Sequence, residues 1–95
     1  MNAMSVTVRH DPSTECFQAR LGPHLALCSY RRQGELLVLH HTEVPRAVQG
    51  QGVAAALVAA ALAWAAAQGL RVRPVCSYVA AYMRRHPETQ GLLEP

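Results

Sequence analysis

Ninety-five residues, 51% of them hydrophobic, make one small globular domain over residues 1–95, with room for a single core and none for a second domain. The formal charge of +3 comes from nine basic residues, every one an arginine, against six acidic ones, and no run exceeds two adjacent arginines, which argues against nucleic acid as the partner. Three cysteines, Cys16, Cys28 and Cys76, show no CxxC spacing, so they indicate neither a disulfide framework nor a zinc ribbon, and a reducing, cytoplasmic location follows as the simplest expectation.

The first five residues lack a basic region followed by an apolar core, so no secretory signal is expected. Alternation over residues 5–9 predicts a first strand. Asp11-Pro12-Ser13 is turn chemistry, and a second strand follows in which Phe17, Ala19 and Leu21 face one way while Gln18 and Arg20 face the other. After Gly22-Pro23, residues 24–30 alternate again and lead through Arg31-Arg32-Gln33-Gly34 into residues 35–42, a hairpin. Leu36-Leu37-Val38-Leu39 is continuously apolar, which predicts a central strand covered on both faces.

Residues 53–68 then supply about four and a half helical turns, with Gly69 as the stop. Val53, Leu57 and Trp64 form its core stripe, flanked by Val58 and Leu62. The apolar run is shorter than the ~20 residues a bilayer span needs, so no membrane partner is expected. Residues 71–76 predict a strand parallel to residues 35–42 through a right-handed crossover, with Pro74 leaving one side unpaired near its end. Residues 77–85 predict a short helix with Ser77 as its cap, ended by His86-Pro87. Only the first residues and the tail after Gly91 read as loose. The fold class is therefore α+β, three-layer-like, with a mixed, mostly antiparallel sheet of about five strands.

The segment joining the fourth strand to the long helix carries the chemistry. Gly50 and Gly52 let the backbone turn tightly, and a helix start offers unsatisfied N–H groups and about half a positive charge, so an anion fits there. Gln49-Gly50-Gln51-Gly52-Val53-Ala54 resembles the Gln/Arg-x-x-Gly-x-Gly/Ala signature of the GNAT superfamily of N-acetyltransferases. His41-Thr42-Glu43-Val44-Pro45 before it, and Cys76-Ser77-Tyr78-Val79 with Tyr82, Arg85, His86, Pro87 and Glu88 after it, are similar to the small, roughly hundred-residue GNAT subfamily. The resemblance covers residues 5–93 and implies a minimal GNAT fold with a splayed parallel strand pair. It also implies binding of acetyl-CoA or CoA and transfer of an acetyl group to an amine.

On that reading the pantetheine arm enters between residues 35–44 and 71–76, with backbone groups near Val44 as partners. The pyrophosphate sits on N–H groups of Gln49, Gly50, Gln51, Gly52, Val53 and Ala54, and Arg84 and Arg85 supply further positive charge. An amine of pKa ~10.4 costs ~4.6 kcal/mol to deprotonate at pH 7, which a nearby base or a water path must offset. His41 at the strand end is the candidate, with His40 placed on the opposite face by alternation. Cys76 is an acyl acceptor or an acid toward the departing thiolate, and Tyr78 and Tyr82, on one helix face, are candidate acids. His40, His41, Cys76 and His86 show no metal-ligand spacing. Only residues 88–95 follow the second helix, so the acceptor site is shallow and suits an amine on a macromolecule such as a protein. A CoA-binding or regulatory module without chemistry is the alternative, and a small nucleic-acid or protein-binding domain a third.

Overall fold

Alternation builds the first half of the chain into four antiparallel strands. The structure, a computed structural model, describes residues 6–95, so Ser5 of the expected first strand lies outside the described residues. Strand β1 (Val8–Asp11) is followed by β2 (Cys16–Leu21), β3 (His24–Gln33) and β4 (Leu36–Glu43). Helix α1 (Val53–Ala67) then crosses to β5 (Arg71–Pro74), which lies parallel to β4, and α2 (Ser77–Arg85) follows. The sheet runs in the order β1-β2-β3-β4-β5.

Turn chemistry sets the strand ends. The Asp11 carboxylate accepts the Ser13 N–H at 3.1 Å and the Ser13 hydroxyl at 2.6 Å, which folds the first turn. Strand β3 continues through Arg31, Arg32 and Gln33, past the end predicted at Tyr30, and the turn is confined to Gly34-Glu35. The physical reason is Gly34, whose positive φ of 63° lets two residues reverse the chain.

One face of the sheet holds the core. Phe17, Ala19, Ala26, Cys28, Leu37, Leu39 and Val72 pack with Leu57, Val58, Ala61 and Leu62 of α1 and with Val79 and Met83 of α2 in one cluster. Each buried Leu, Val, Phe or Met side chain among them stabilises the fold by roughly 1.5–3 kcal/mol. The aromatic residues close one flank of this layer: His10 stacks on Phe17 at 4.2 Å, meets Trp64 edge-on, and its Nε2 hydrogen-bonds the Tyr30 hydroxyl at 2.6 Å.

Because α1 and α2 share a single core cluster, the helices form one layer on one face. The expected central strand is covered on both faces all the same, with Leu37 and Leu39 buried beneath the helices and Val38 buried on the outer face. Register puts Arg31 and Arg73 on either side of Val38 on the outer face, where their side chains take the place of a second helical layer.

The predicted loose tail is corrected. Pro87–Leu92 forms a 3-10 segment, Leu93 bridges Val72 in parallel, and the Glu94 N–H reaches the Val72 carbonyl at 3.2 Å. The Arg73 guanidinium pairs with the Glu94 carboxylate. The free edge of β5 supplies the unpaired backbone groups that order this tail.

Candidate functional site at the start of helix α1

Strand β5 stops before β4 does, and this opens the site. The last parallel pair is Leu39 with Pro74, and the Leu39 carbonyl accepts N–H groups from both Val75 (3.0 Å) and Cys76 (2.9 Å). From there the chain turns away into α2, while β4 runs on to Glu43 with no strand beside it on that edge. Pro74 cannot continue the ladder, which is why the pair splays at this point.

A 3-10 turn, Arg46–Val48, leads from β4 to the glycine turn. The Gln49 side-chain amide donates to the Val44 carbonyl at 3.0 Å, and the Gln49 N–H donates to the Arg46 carbonyl at 3.2 Å. The Gln49 backbone N–H, its side-chain NH2 group and the Val44 carbonyl therefore all help to shape the loop. Gly50 and Gly52 follow with φ of 80° and 79°, the left-handed region that favours glycine. Gly52 is the N-cap residue of α1, and the first N–H of that end to find a partner is that of Ala56, on the Gly52 carbonyl at 3.0 Å. The N–H groups of residues 50–55 have no backbone partner among the described residues.

These groups surround a groove of about 230 Å³ lined by Val44, Gln49, Gly50, Gly52 and Val53 on one side and Tyr78 of α2 on the other. No acidic residue stands in the first turn of α1, and nothing lies within 4 Å of where a Cβ on Gly50 or Gly52 would be. A phosphate oxygen can approach the backbone directly. A diphosphate fits this cradle, since charge-assisted bonds from three or four N–H groups are worth ~1.5–3 kcal/mol each.

Cys76, rather than Ser77, is the N-cap of α2. Its Sγ donates to the Thr42 Oγ1 at 3.5 Å, and Thr42 Oγ1 in turn donates to the Cys28 Sγ at 3.8 Å. Burial by itself pushes the Cys76 thiol up, but the Thr42 hydroxyl and the N–H groups of Val79 and Tyr78 outweigh it and hold the thiol below its ordinary value. Cys28, deeper and without helix N–H groups, is pushed up to about 11 chiefly by burial. Only Cys76 of this pair has the character of a working thiol.

The remaining predicted residues do not all gather at the groove. Val44, Gln49, Gly50, Gly52, Val53 and Ala54 line it, whereas Gln51 is exposed in the turn. The His41 imidazole is exposed and pairs with Glu43 at 3.3 Å, and its strand position opposite Ser29 is on the outer face, away from Cys76. A register shift between Ser29 and Tyr30 leaves His40 as an extra residue in β4. Strict alternation fails there, so the inference that His40 and His41 take opposite faces is corrected by this bulge. Arg84 and Arg85 are exposed in the last turn of α2, roughly 9–10 Å along the axis beyond Tyr78. Tyr82 lines a second cavity one turn past Tyr78.

Two residues were missed in the sequence. Thr42 stood in the segment that resembles the family but was given no role, because its inward direction depends on the bulge. Arg46 carried a signal: it is the one cation within the loop between β4 and α1, exposed and without an ion pair among the described residues.

An antiparallel sheet ending in a parallel pair, with unpartnered N–H groups at the start of the crossover helix, defines an α+β fold with a candidate anion site. The sequence profile of the GCN5-related N-acetyl-transferase family matches residues 16–92, and the chain belongs to that family. It is similar to Protein NATD1 of mouse, 37% identical over 90 residues that cover 92% of this chain and 82% of the relative. Protein NATD1 of human is likewise 37% identical over 90 residues, covering 92% and 80%, and that of zebrafish 34% over 88 residues, covering 90% and 80%.

Proposed function

We propose that this chain is an acetyl-CoA-dependent N-acetyltransferase whose acceptor is an amine displayed on a macromolecule such as a protein. The observation that carries the reading is the run of unpartnered N–H groups at residues 50–55 facing a groove beside the gap between β4 and β5. The cradle takes the diphosphate, Arg46 adds positive charge from the same loop, and the bare edge of β4 pairs with the amides of the pantetheine arm. Arg85 shares the helical face of Tyr78 and Tyr82, and Arg84 does not, so of the two arginines Arg85 is the one directed toward the cofactor.

Acetyl-CoA supplies the acyl group as a thioester, which an amine nitrogen takes at the carbonyl carbon as the C–S bond breaks and sulfur leaves with the electron pair. The Cys76 thiol, at the mouth of the gap, gives its proton to that sulfur and recovers one from the newly acylated, still protonated nitrogen. Thr42 holds the thiol in place, and in the interval its hydroxyl turns from the Cys28 sulfur to donate to the Cys76 thiolate. His41, on the outer face with Glu43, has no part in this path.

Transfer to a macromolecule is supported by the placement of the 3-10 segment and Leu93, which pack on α1, α2 and β5 and do not line the groove. Gly52→Glu, which puts bulk and negative charge in the cradle, is expected to abolish CoA binding by calorimetric titration while the far-ultraviolet spectrum stays that of the folded protein. Retention of CoA binding in that variant would sink the assignment.

A further inference from the structure

The helices cover one face of the sheet; the other is covered only by its own side chains, and its charge is one-sided. Register puts Arg9, Arg20, Arg31, Arg71 and Arg73, five of the chain's nine arginines, on the face opposite the helices. The acidic groups of this face are already engaged. Glu43 pairs with His41 at 3.3 Å, Glu94 pairs with Arg73, and the Asp11 carboxylate accepts the Ser13 N–H and hydroxyl. Arg9, Arg20 and Arg31 have no ion pair among the described residues, and Arg71 donates to the neutral Gly91 carbonyl at 2.6 Å. The outer face therefore carries uncompensated positive charge, which attracts an acidic partner.

What the face lacks narrows the kind of partner. Phe17 and Tyr30 belong to the core beside Trp64, and Tyr78 and Tyr82 are on α2, so no Phe, Tyr or Trp ring is offered for a nucleic-acid base to stack on. Leu25, Leu27 and Leu36 are half-buried and Val38 is buried, so none of them protrudes as insertion into a membrane surface would need. Half-buried leucines between long cations suit an extended polypeptide, in which carboxylates two or three residues apart lie about 7–10 Å from one another. Arg31 and Arg73, on the strands either side of β4, are separated by about 10 Å as well.

The same patch borders the gap between β4 and β5. Val38, between the two arginines, precedes Leu39, whose carbonyl closes the ladder there. Val75, two residues beyond Arg73, is 59% exposed at the margin of the gap and offers one apolar contact. The phosphate groove opens on the helical side, lined by Tyr78 and the start of α1, which leaves the outer side of the gap for a second reactant.

We propose that the outer face of the sheet, from Arg31 across Arg73 to Val75, docks an acidic, extended segment of the acceptor protein, a proposal that rests on the transfer reading above for the partner's being the acceptor. The amine that receives the acetyl group is thus one set among glutamates or aspartates. It reaches the gap past Val75 while a neighbouring carboxylate engages Arg31.

The test uses two fluorescein-labelled peptides, one with glutamate alternating with valine around a central lysine, the other with glutamine in place of each glutamate. Fluorescence anisotropy with the full chain at low ionic strength is expected to show the glutamate peptide binding about tenfold tighter, a preference that added salt removes. Arg31→Gln is expected to weaken that peptide about threefold. Arg32→Gln removes the same charge from the neighbouring position on the helical side, where the guanidinium lies 5.8 Å from the Trp64 ring centre, and is expected to leave it unchanged. Equal affinity for the two peptides, or equal effects of the two substitutions, overturns the proposal. So does tighter binding of a single-stranded oligonucleotide, or of phosphatidylserine vesicles, that Arg31→Gln abolishes. Mass spectrometry of the peptides after addition of acetyl-CoA separates this proposal from the reading beneath it. A glutamate peptide that docks through Arg31 yet gains no acetyl group refutes the transfer reading, and with it the partner's being the acceptor; acetylation of both peptides at equal rates refutes the docking face alone.

Discussion

Gly52→Ala separates the two duties of the glycine turn. The position is the αL N-cap of α1 at φ 79°, and a Cβ there meets nothing within 4 Å, so the whole cost in stability is backbone strain. Forcing an L-residue into that region costs about 1 kcal/mol, which for a domain of this length lowers Tm by roughly 4–8 °C. Gly22 at φ 60°, in the turn between β2 and β3, has equally open surroundings, and Gly22→Ala should lose a similar amount. The two variants part company on the ligand. The Cβ at residue 52 stands where a phosphate oxygen approaches the N–H groups of residues 50–55, so CoA affinity should fall about tenfold, the equivalent of one charge-assisted hydrogen bond. In Gly22→Ala it should not change. Thermal melts and calorimetric titration of both proteins make the measurement. Equal CoA affinity in Gly52→Ala and wild type would refute the cradle, and an undiminished Tm would refute the strain argument.

Two further outcomes are expected. The rate of Cys76 alkylation by iodoacetamide should reach half its plateau at a lower pH than that of an unstructured cysteine, Thr42→Val should move that midpoint upward, and Cys28 should stay unmodified in the folded protein; a midpoint at or above the ordinary thiol value contradicts the N-cap geometry. His10 is held below its ordinary pKa mainly by burial, with Asp11 opposing, so the neutral ring is the form the fold prefers. Its contribution is complete above pH ~6.5 and is lost as pH falls through that value toward the lower folded-state pKa. The drop in Tm between pH 7.5 and 5.5 should therefore be smaller in His10→Phe than in wild type, and an identical drop counts against the burial of His10 as its cause.

What could be read in the chain was what depends on neighbours in sequence. Alternation from Cys16 to Leu21, the glycine stop after α1, and the break at His86-Pro87 are local effects, and each element expected from them is present. The parallel pairing of β4 with β5 was legible because a crossover of this length leaves few alternatives. What escaped depends on the third dimension. The bulge at His40 has no marker such as glycine, yet it decides that Thr42 points inward to Cys76 and that His41 does not. The commitment of Gln49 to the Val44 carbonyl is likewise a contact across the loop, so an amide that matches a phosphate-binding signature spends its hydrogen bonds on the scaffold. A continuously apolar run at Leu36 to Leu39 suggested burial from both sides. Long arginine side chains achieve much of that coverage without a second layer, and composition does not distinguish the two.

The bridge from Leu93 to Val72 bears on how the chain survives its own synthesis. Strand β5 forms as an edge, and until Leu93 and Glu94 arrive its outer side is a row of bare donors and acceptors able to recruit the same strand from a second nascent molecule. Twenty-one residues after Arg73, Glu94 meets that guanidinium and seals the row. Removing Leu93 and Glu94 would leave that row open to pairing with the same strand of a second molecule.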